Sequence, residues 1–199
     1  SGLQSIAAGG TGTVASLTGG GRQIVGGTAV STTVGAGGEQ VLSGTNWTLT
    51  GNTLLSGGTQ SLVAGAVLSG STVASGVTQN VSSGGTAVST TLAAYGEQSI
   101  SAGGTAVRTT IQAIGTQYIF AGGTAVSAAV SGNQNVCSGG LATDTTVAAG
   151  GKQSILSGAQ ASGTWVSGGM QYVVAGGTVT DTTLAAGGTQ QLWGSAIHT

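Results

Sequence analysis

Apolar and polar residues alternate along this chain in short runs, and the runs recur. From Gln79 the order is Gln-Asn-Val-Ser-Ser-Gly-Gly-Thr-Ala-Val-Ser-Thr-Thr-Leu, and from Gln98 it is Gln-Ser-Ile-Ser-Ala-Gly-Gly-Thr-Ala-Val-Arg-Thr-Thr-Ile. The runs are rich in Val, Ile, Leu and Thr, which favour strands, and helical periodicity is absent. Two glycine-rich points punctuate each unit. One lies five and six residues after the glutamine, as at Gly84-Gly85, and the other lies just before the next glutamine, as at Gly150-Gly151. Glycine marks sharp turns. Glutamine recurs at positions 4, 23, 40, 60, 79, 98, 117, 134, 153, 171 and 190, at intervals of 19, 17, 20, 19, 19, 19, 17, 19, 18 and 19. A unit of two strands and two corners cannot bury a face alone, but it can do so by stacking on copies of itself. The pattern predicts an all-β chain, a parallel β-helix (solenoid) with about 19 residues per coil. Residues 1–199 form one repetitive domain of about ten coils in this reading.

The charged residues test the alternation. All seven fall in two phases of the repeat. Arg22, Glu39, Glu97 and Lys152 directly precede the glutamine, and Arg108, Asp144 and Asp181 follow it by ten positions. An unpaired charge is too costly to bury in a dry interior, so both phases are expected to face water. Period-2 alternation then places Gln and the residue two places on (Ile100, Ile119, Val136) inward. In the longer strand it predicts inward triplets such as Val30-Thr32-Val34, Val88-Thr90-Leu92, Val107-Thr109-Ile111, Val126-Ala128-Val130, Thr143-Thr145-Val147 and Thr180-Thr182-Leu184. Ala87, Ser89 and Thr91 are then expected to point outward. A buried amide needs a partner. Gln79, Gln98, Gln117, Gln134, Gln153, Gln171 and Gln190 are therefore expected to form a structural ladder, amide to amide, or else to bond the turn backbone at a corner. The text drifts between Gln40 and Gly76, where the phase is unclear, and the glycine pair is lost at Ala159-Gln160.

Composition excludes several classes. Glycine supplies 41 of 199 residues, proline none, and charged residues only 4%, with a formal net charge of −1. Disordered chains need charge and low hydrophobicity, whereas mean hydropathy here is +0.33. Three Lys/Arg residues cannot line a phosphate backbone, so no nucleic-acid partner is expected. No apolar run is long enough for a transmembrane helix, so no membrane insertion by this segment is expected. The opening residues Ser1-Gly2-Leu3-Gln4 have no basic or apolar leader region, and the chain is read as a processed product or a fragment of a longer one.

Candidate chemistry is sparse. Asp144 and Asp181 share a phase but lie two coils apart, about 10 Å by strand spacing. Arg22 and Glu39 are one coil apart and are placed for a surface ion pair, worth at most about 1 kcal/mol. The lone Cys137 can form neither an internal disulfide nor a cysteine cluster. His198 reads as a tail residue, Trp165 as a core filler, Tyr118 and Tyr172 as outward aromatics, and Trp193 as a cover for the last coil. No catalytic set, metal site or cofactor is expected. A β-helix enzyme of the lyase or hydrolase kind would need charged residues clustered on one face.

Units reading GGxQxVxxGGTAxxTTV, fullest from Gln79 to Gln117, resemble the passenger repeats of self-associating autotransporter adhesins of the AIDA and TibA type. The resemblance covers essentially the whole chain. It implies a right-handed β-helix on a Gram-negative cell surface, at the outer membrane or secreted, cut from a longer passenger. It implies an adhesin segment that mediates self-association, aggregation, biofilm formation and adherence to host cells. Its partners would be other copies of itself, the host-cell surface, and a heptosyltransferase that modifies outward serines. Ser31, Ser89 and Ser127 in the long strand, with Ser5, Ser61, Ser99 and Ser154 in the short strand, are the candidate acceptors. The alternative is a passive stalk that serves only as the transferase substrate, with binding elsewhere in the full protein.

Overall fold

The computed structural model describes residues 2–198. The described chain is all strand and turn, wound as a parallel β-solenoid. Eleven parallel strands, from Leu3–Ile6 to Thr189–Leu192, line one face, so the chain makes about ten turns. Their register puts glutamine on glutamine throughout, from Gln4 on Gln23 to Gln171 on Gln190.

One coil shows the build. Glu97–Ile100 lies on the first face between Thr78–Val81 and Thr116–Ile119. A tight turn over 101–104 leads to Thr105–Val107 on the second face. A single residue, Arg108, then turns the chain onto Thr110–Ile111 on the third face. Residues 112–115 close the coil. The cross-section therefore has three faces and three corners, where the sequence pattern predicted two strands and two corners.

The extra corner explains a correction. The corner residue adopts a left-handed backbone in coil after coil, ten places after glutamine at Ser89 (φ 52°), Arg108 (55°), Ser127 (55°), Asp144 (53°) and Asp181 (53°), and eight places after it at Ser31 (55°). That twist resets the in–out alternation. The predicted triplets therefore fail at their first member. Val88, Val107, Val126, Thr143, Thr180 and Val30 are half-exposed on the outer side, while Ala29, Ala87, Ala106, Ala125 and Ala142 are buried. After the corner the predicted phase holds in the interior coils, where Thr90, Leu92, Thr109 and Ile111 are buried, whereas Leu184, in the last coil, is 47% exposed. Trp165 is 49% exposed and lies one place beyond the inward Thr164, in the outer column with Thr146 and Thr183.

Inside, identical columns run along the rod. Ile6, Val25, Leu42, Leu62, Val81, Ile100, Ile119, Val136, Ile155 and Val173 stack from the first face, opposite the alanines of the second. Small alanine on one wall and branched residues on the other keep the interior narrow and dense. At the glycine pairs the first member takes positive φ (Gly103, 80°), and the second is kept small by contact. A Cβ on Gly104 would stand 2.1 Å from the carbonyl oxygen of Val81 in the coil below.

The drifting segment keeps the architecture. Gln60 pairs with Gln40, and Thr48–Thr50 pairs with Thr28–Val34. The additional residues swell the first corner, where the Trp47 indole donates to the Gly44 carbonyl (3.0 Å) and packs against the core. At Ala159 the turn also survives: its N–H donates to Leu156 O at 3.0 Å, as Gly140 donates to Cys137 O at 2.8 Å.

Candidate functional site

Two sets of residues carry the distinctive chemistry, one inside the rod and one on its edges. Inside, each glutamine Nε2 donates to the Oε1 of the glutamine one coil below. The distances are 2.6 Å for Gln23 to Gln4, 2.7 Å for Gln98 to Gln79, 2.7 Å for Gln117 to Gln98, 2.8 Å for Gln134 to Gln117, 2.8 Å for Gln153 to Gln134, 2.7 Å for Gln171 to Gln153 and 2.7 Å for Gln190 to Gln171. Gln79 reaches Gln60 at 3.2 Å and also the Ser71 hydroxyl at 3.1 Å.

A second partner, which pattern reading missed, comes from the third face. Thr32, Thr109, Thr145, Thr164 and Thr182 donate hydroxyls to the Oε1 atoms of Gln23, Gln98, Gln134, Gln153 and Gln171 at 3.2–3.4 Å. The signal was present in the sequence, as a hydroxyl eleven places after glutamine in four of these coils and nine places after it at Thr32, but only closure of the coil brings the two columns together. Among the described residues no buried side-chain nitrogen or oxygen lacks a partner. A satisfied polar network of this kind fixes register, because a slipped coil would bury amides without partners.

Outside, the serines fall into groups. Ser31, Ser89 and Ser127 sit at the left-handed corner and are exposed, and so is Ser5; Ser99 is half-exposed. Ser61 and Ser154 are only 7% exposed. Ser61 donates to the Glu39 carboxylate at 2.9 Å, and Ser154 lies between Asn135 and Tyr172 in one outward column, where the larger side chains on either side shelter it. Both are removed from the accessible set. Exposed turn serines that alternation could not single out, Ser83, Ser138 and Ser157, follow the first face.

The remaining candidates are isolated. Arg22 Nε meets Glu39 Oε2 at 2.8 Å on the surface. Asp144 and Asp181 share the corner column with Gly163 between them. His198 joins the same column, with Nδ1 3.5 Å from Asp181 Oδ1, so it continues the corner and is not a loose tail. Among the described residues no three His, Cys, Asp or Glu side chains gather. Cys137 is half-buried, and burial pushes its thiol pKa up, away from the reactive thiolate. Tyr118 stacks with Phe120, with ring centroids 5.9 Å apart. Trp193 is exposed beyond the last strand of the first face.

No family model matches the sequence, and no curated protein matches it either. Among solved structures, the chain is similar to the crystal structure of a TibC-catalysed, hyper-glycosylated TibA fragment, residues 55–350, at 29% identity and a TM-score of 0.68, covering 98% of this chain and 87% of that one. The likeness to TibA-type repeats read from the glutamine-to-glutamine units is thus shown in three dimensions over nearly the whole chain.

Proposed function

We propose that this chain is a non-enzymatic segment of a bacterial surface adhesin passenger and an acceptor for a sugar-transferring enzyme. The observation that carries the reading is the likeness, over 98% of the chain, to a fragment that is itself hyper-glycosylated. The rod supports it physically. The left-handed corner lifts the side chains of Ser31, Ser89 and Ser127 off the faces, where a transferase can reach an unbonded hydroxyl. Ser5 and Ser99 complete the acceptor set, and heptose is the expected sugar. Intact-mass measurement after co-expression with TibC tests this. Added sugar masses are expected, falling in number in the S31A/S89A/S127A variant. An unmodified mass overturns the acceptor role.

Self-association and adherence at the cell surface follow the same logic. The outer third face carries the hydroxyls of Thr72, Thr91, Thr110, Thr146 and Thr183, in a column interrupted only by Ala129 and Trp165, with almost no charge to repel a second copy. Single hydroxyl contacts contribute about 0.5–1.5 kcal/mol, and repetition along a rod multiplies them into avidity. Cells displaying this segment alone are expected to clump. Dispersed cells would mark it as a stalk.

A further inference from the structure

We infer that the edge between the third and first faces, in the coils of Lys152, Met170 and Thr189, is a binding site for a carboxylate-bearing saccharide. The inference begins from a missing residue. Between Val147 and Lys152 the corner has four residues, and between Leu184 and Thr189 again four. Between Val166 and Met170 it has only three, Ser167-Gly168-Gly169, which is why Gln153 and Gln171 are 18 apart. The middle corner is drawn in, and a groove opens between its neighbours.

The groove has a volume of about 430 Å³ and is lined by Gly150, Gly168, Lys152, Met170, Tyr172 and Thr189, among others. That volume lies within the range of small-molecule sites, about 300–1,000 Å³. Its three coils span about 10 Å of rod, enough for a short oligosaccharide.

The recess also frees donors. Earlier along this edge the corner N–H groups bond coil to coil: Gly37 to Gly57 O, Gly57 to Gly76 O and Gly76 to Tyr95 O, at 2.7–3.0 Å. In the groove that chain of bonds is broken, and the N–H groups of Gly150 and Gly168 have no acceptor among the described residues. Both take positive φ, 79° and 77°. Left-handed corners of this kind turn backbone N–H groups outward toward anions. Lys152 has no carboxylate partner among the described residues. Its ammonium is held 4.4 Å above the Tyr172 ring centroid, at the lip of the groove.

The ligand class follows from this donor set. One ammonium and two N–H groups match a singly charged carboxylate. The Tyr172 ring and the Met170 thioether offer apolar surface to sugar C–H groups, and the Thr189 hydroxyl serves sugar hydroxyls. The inference gives the proposed adherence a ligand class and rests on that reading for its biological setting only.

Titration of the whole chain with sialyllactose and with a glucuronic-acid disaccharide, against lactose and acetate, tests it. At least one acidic sugar is expected to bind saturably, with lactose and acetate weaker by about tenfold or more. Lys152→Gln is expected to weaken the acidic sugar by about tenfold, the loss of one charge-assisted bond. Inserting Ala between Ser167 and Gly168 refills the corner and is expected to remove binding while the circular dichroism spectrum is kept. No binding by either acidic sugar, equal binding by lactose or acetate, or undiminished binding by Lys152→Gln overturns the site. Sugar transfer to the serines and clumping of cells displaying the Lys152→Gln variant are read separately, so failure of this site is distinguishable from failure of the adhesin reading.

Discussion

The coil from Gln98 to Gln117 and the coil from Gln40 to Gln60 share little text, yet they occupy equivalent places in the rod. In the first, the core is regular: Gln98 accepts from Gln117 and from Thr109. In the second, Asn52 stands where other coils carry threonine. It bonds Gln40 twice, Nδ2 to Oε1 at 3.0 Å and Oδ1 from Nε2 at 3.1 Å. Gln60 reaches Gln40 only at 3.3 Å. The swollen corner with Trp47 lies outside this polar stripe. What must persist from coil to coil is therefore the inner polar pairing and the volume of the core columns. Corner length and outer text are free to vary.

The largest expected effect comes from breaking the regular coil. Gln98→Leu removes the acceptor of the Gln117 amide and of the Thr109 hydroxyl, and it leaves Gln79 Oε1 without its donor. Each buried group left unpaired costs about 1–3 kcal/mol, so the total is expected near 3–5 kcal/mol. Urea unfolding followed by circular dichroism measures it. A loss below about 1 kcal/mol would show that the ladder does not hold the coils in register.

How much of this was legible in the sequence depends on where each residue lies relative to the second corner. Before that corner, the glutamine phase and the Ile100 and Val136 column follow from charge placement and alternation alone. Beyond it, alternation places Thr90 and Leu92 correctly, but just before it, on the second face, it exchanges Ala87 and Val88. The reason is local. A run such as Thr-Ala-Val-Ser-Thr-Thr-Leu reads as one alternating strand, and nothing in it announces that the serine takes φ 52°. Gly51, Gly70 and Gly163 serve this corner in three coils, but elsewhere it uses Ser, Arg or Asp, which give no such signal. Trp165 lies twelve places after Gln153, the outward phase of Thr91 and Thr110, so the count from glutamine places it outside and the core-filler expectation is one position off. The exposure of the candidate serines was half legible. Phase predicted which side they face, but shelter by Glu39 over Ser61, and by Tyr172 near Ser154, depends on neighbours one coil away. The recess at Gly168 was present as an interval of 18, but its meaning needed the lost corner bonds.

An intermediate effect is expected in the irregular coil. Asn52→Ala removes both bonds to Gln40, but the Gln40 amide keeps its acceptor on Gln23 (2.9 Å) and its oxygen keeps Gln60. The ladder carries part of the load, so a loss of about 1–2 kcal/mol is expected, below that of Gln98→Leu. Equal losses in the same unfolding assay would mean that the asparagine, and not the ladder, organises this coil.

The smallest effect should be a gain. Ala128 occupies the inner threonine column in the coil of Gln117, between Thr109 and Thr145, and is 2% exposed. Gln117 Oε1 consequently accepts only from Gln134. Ala128→Thr returns the hydroxyl that the neighbouring coils use, in a column already shaped for it, and β-branched residues suit strands. One added bond to a buried acceptor is expected to stabilise by about 0.5–1 kcal/mol. The alternative outcome is informative because its cause is different. A loss of about 1–3 kcal/mol would mean that the interior has closed around the smaller side chain and that the new atoms overpack it. The columns would then be fitted coil by coil. A gain would show that a single inner template serves the regular coils of the rod.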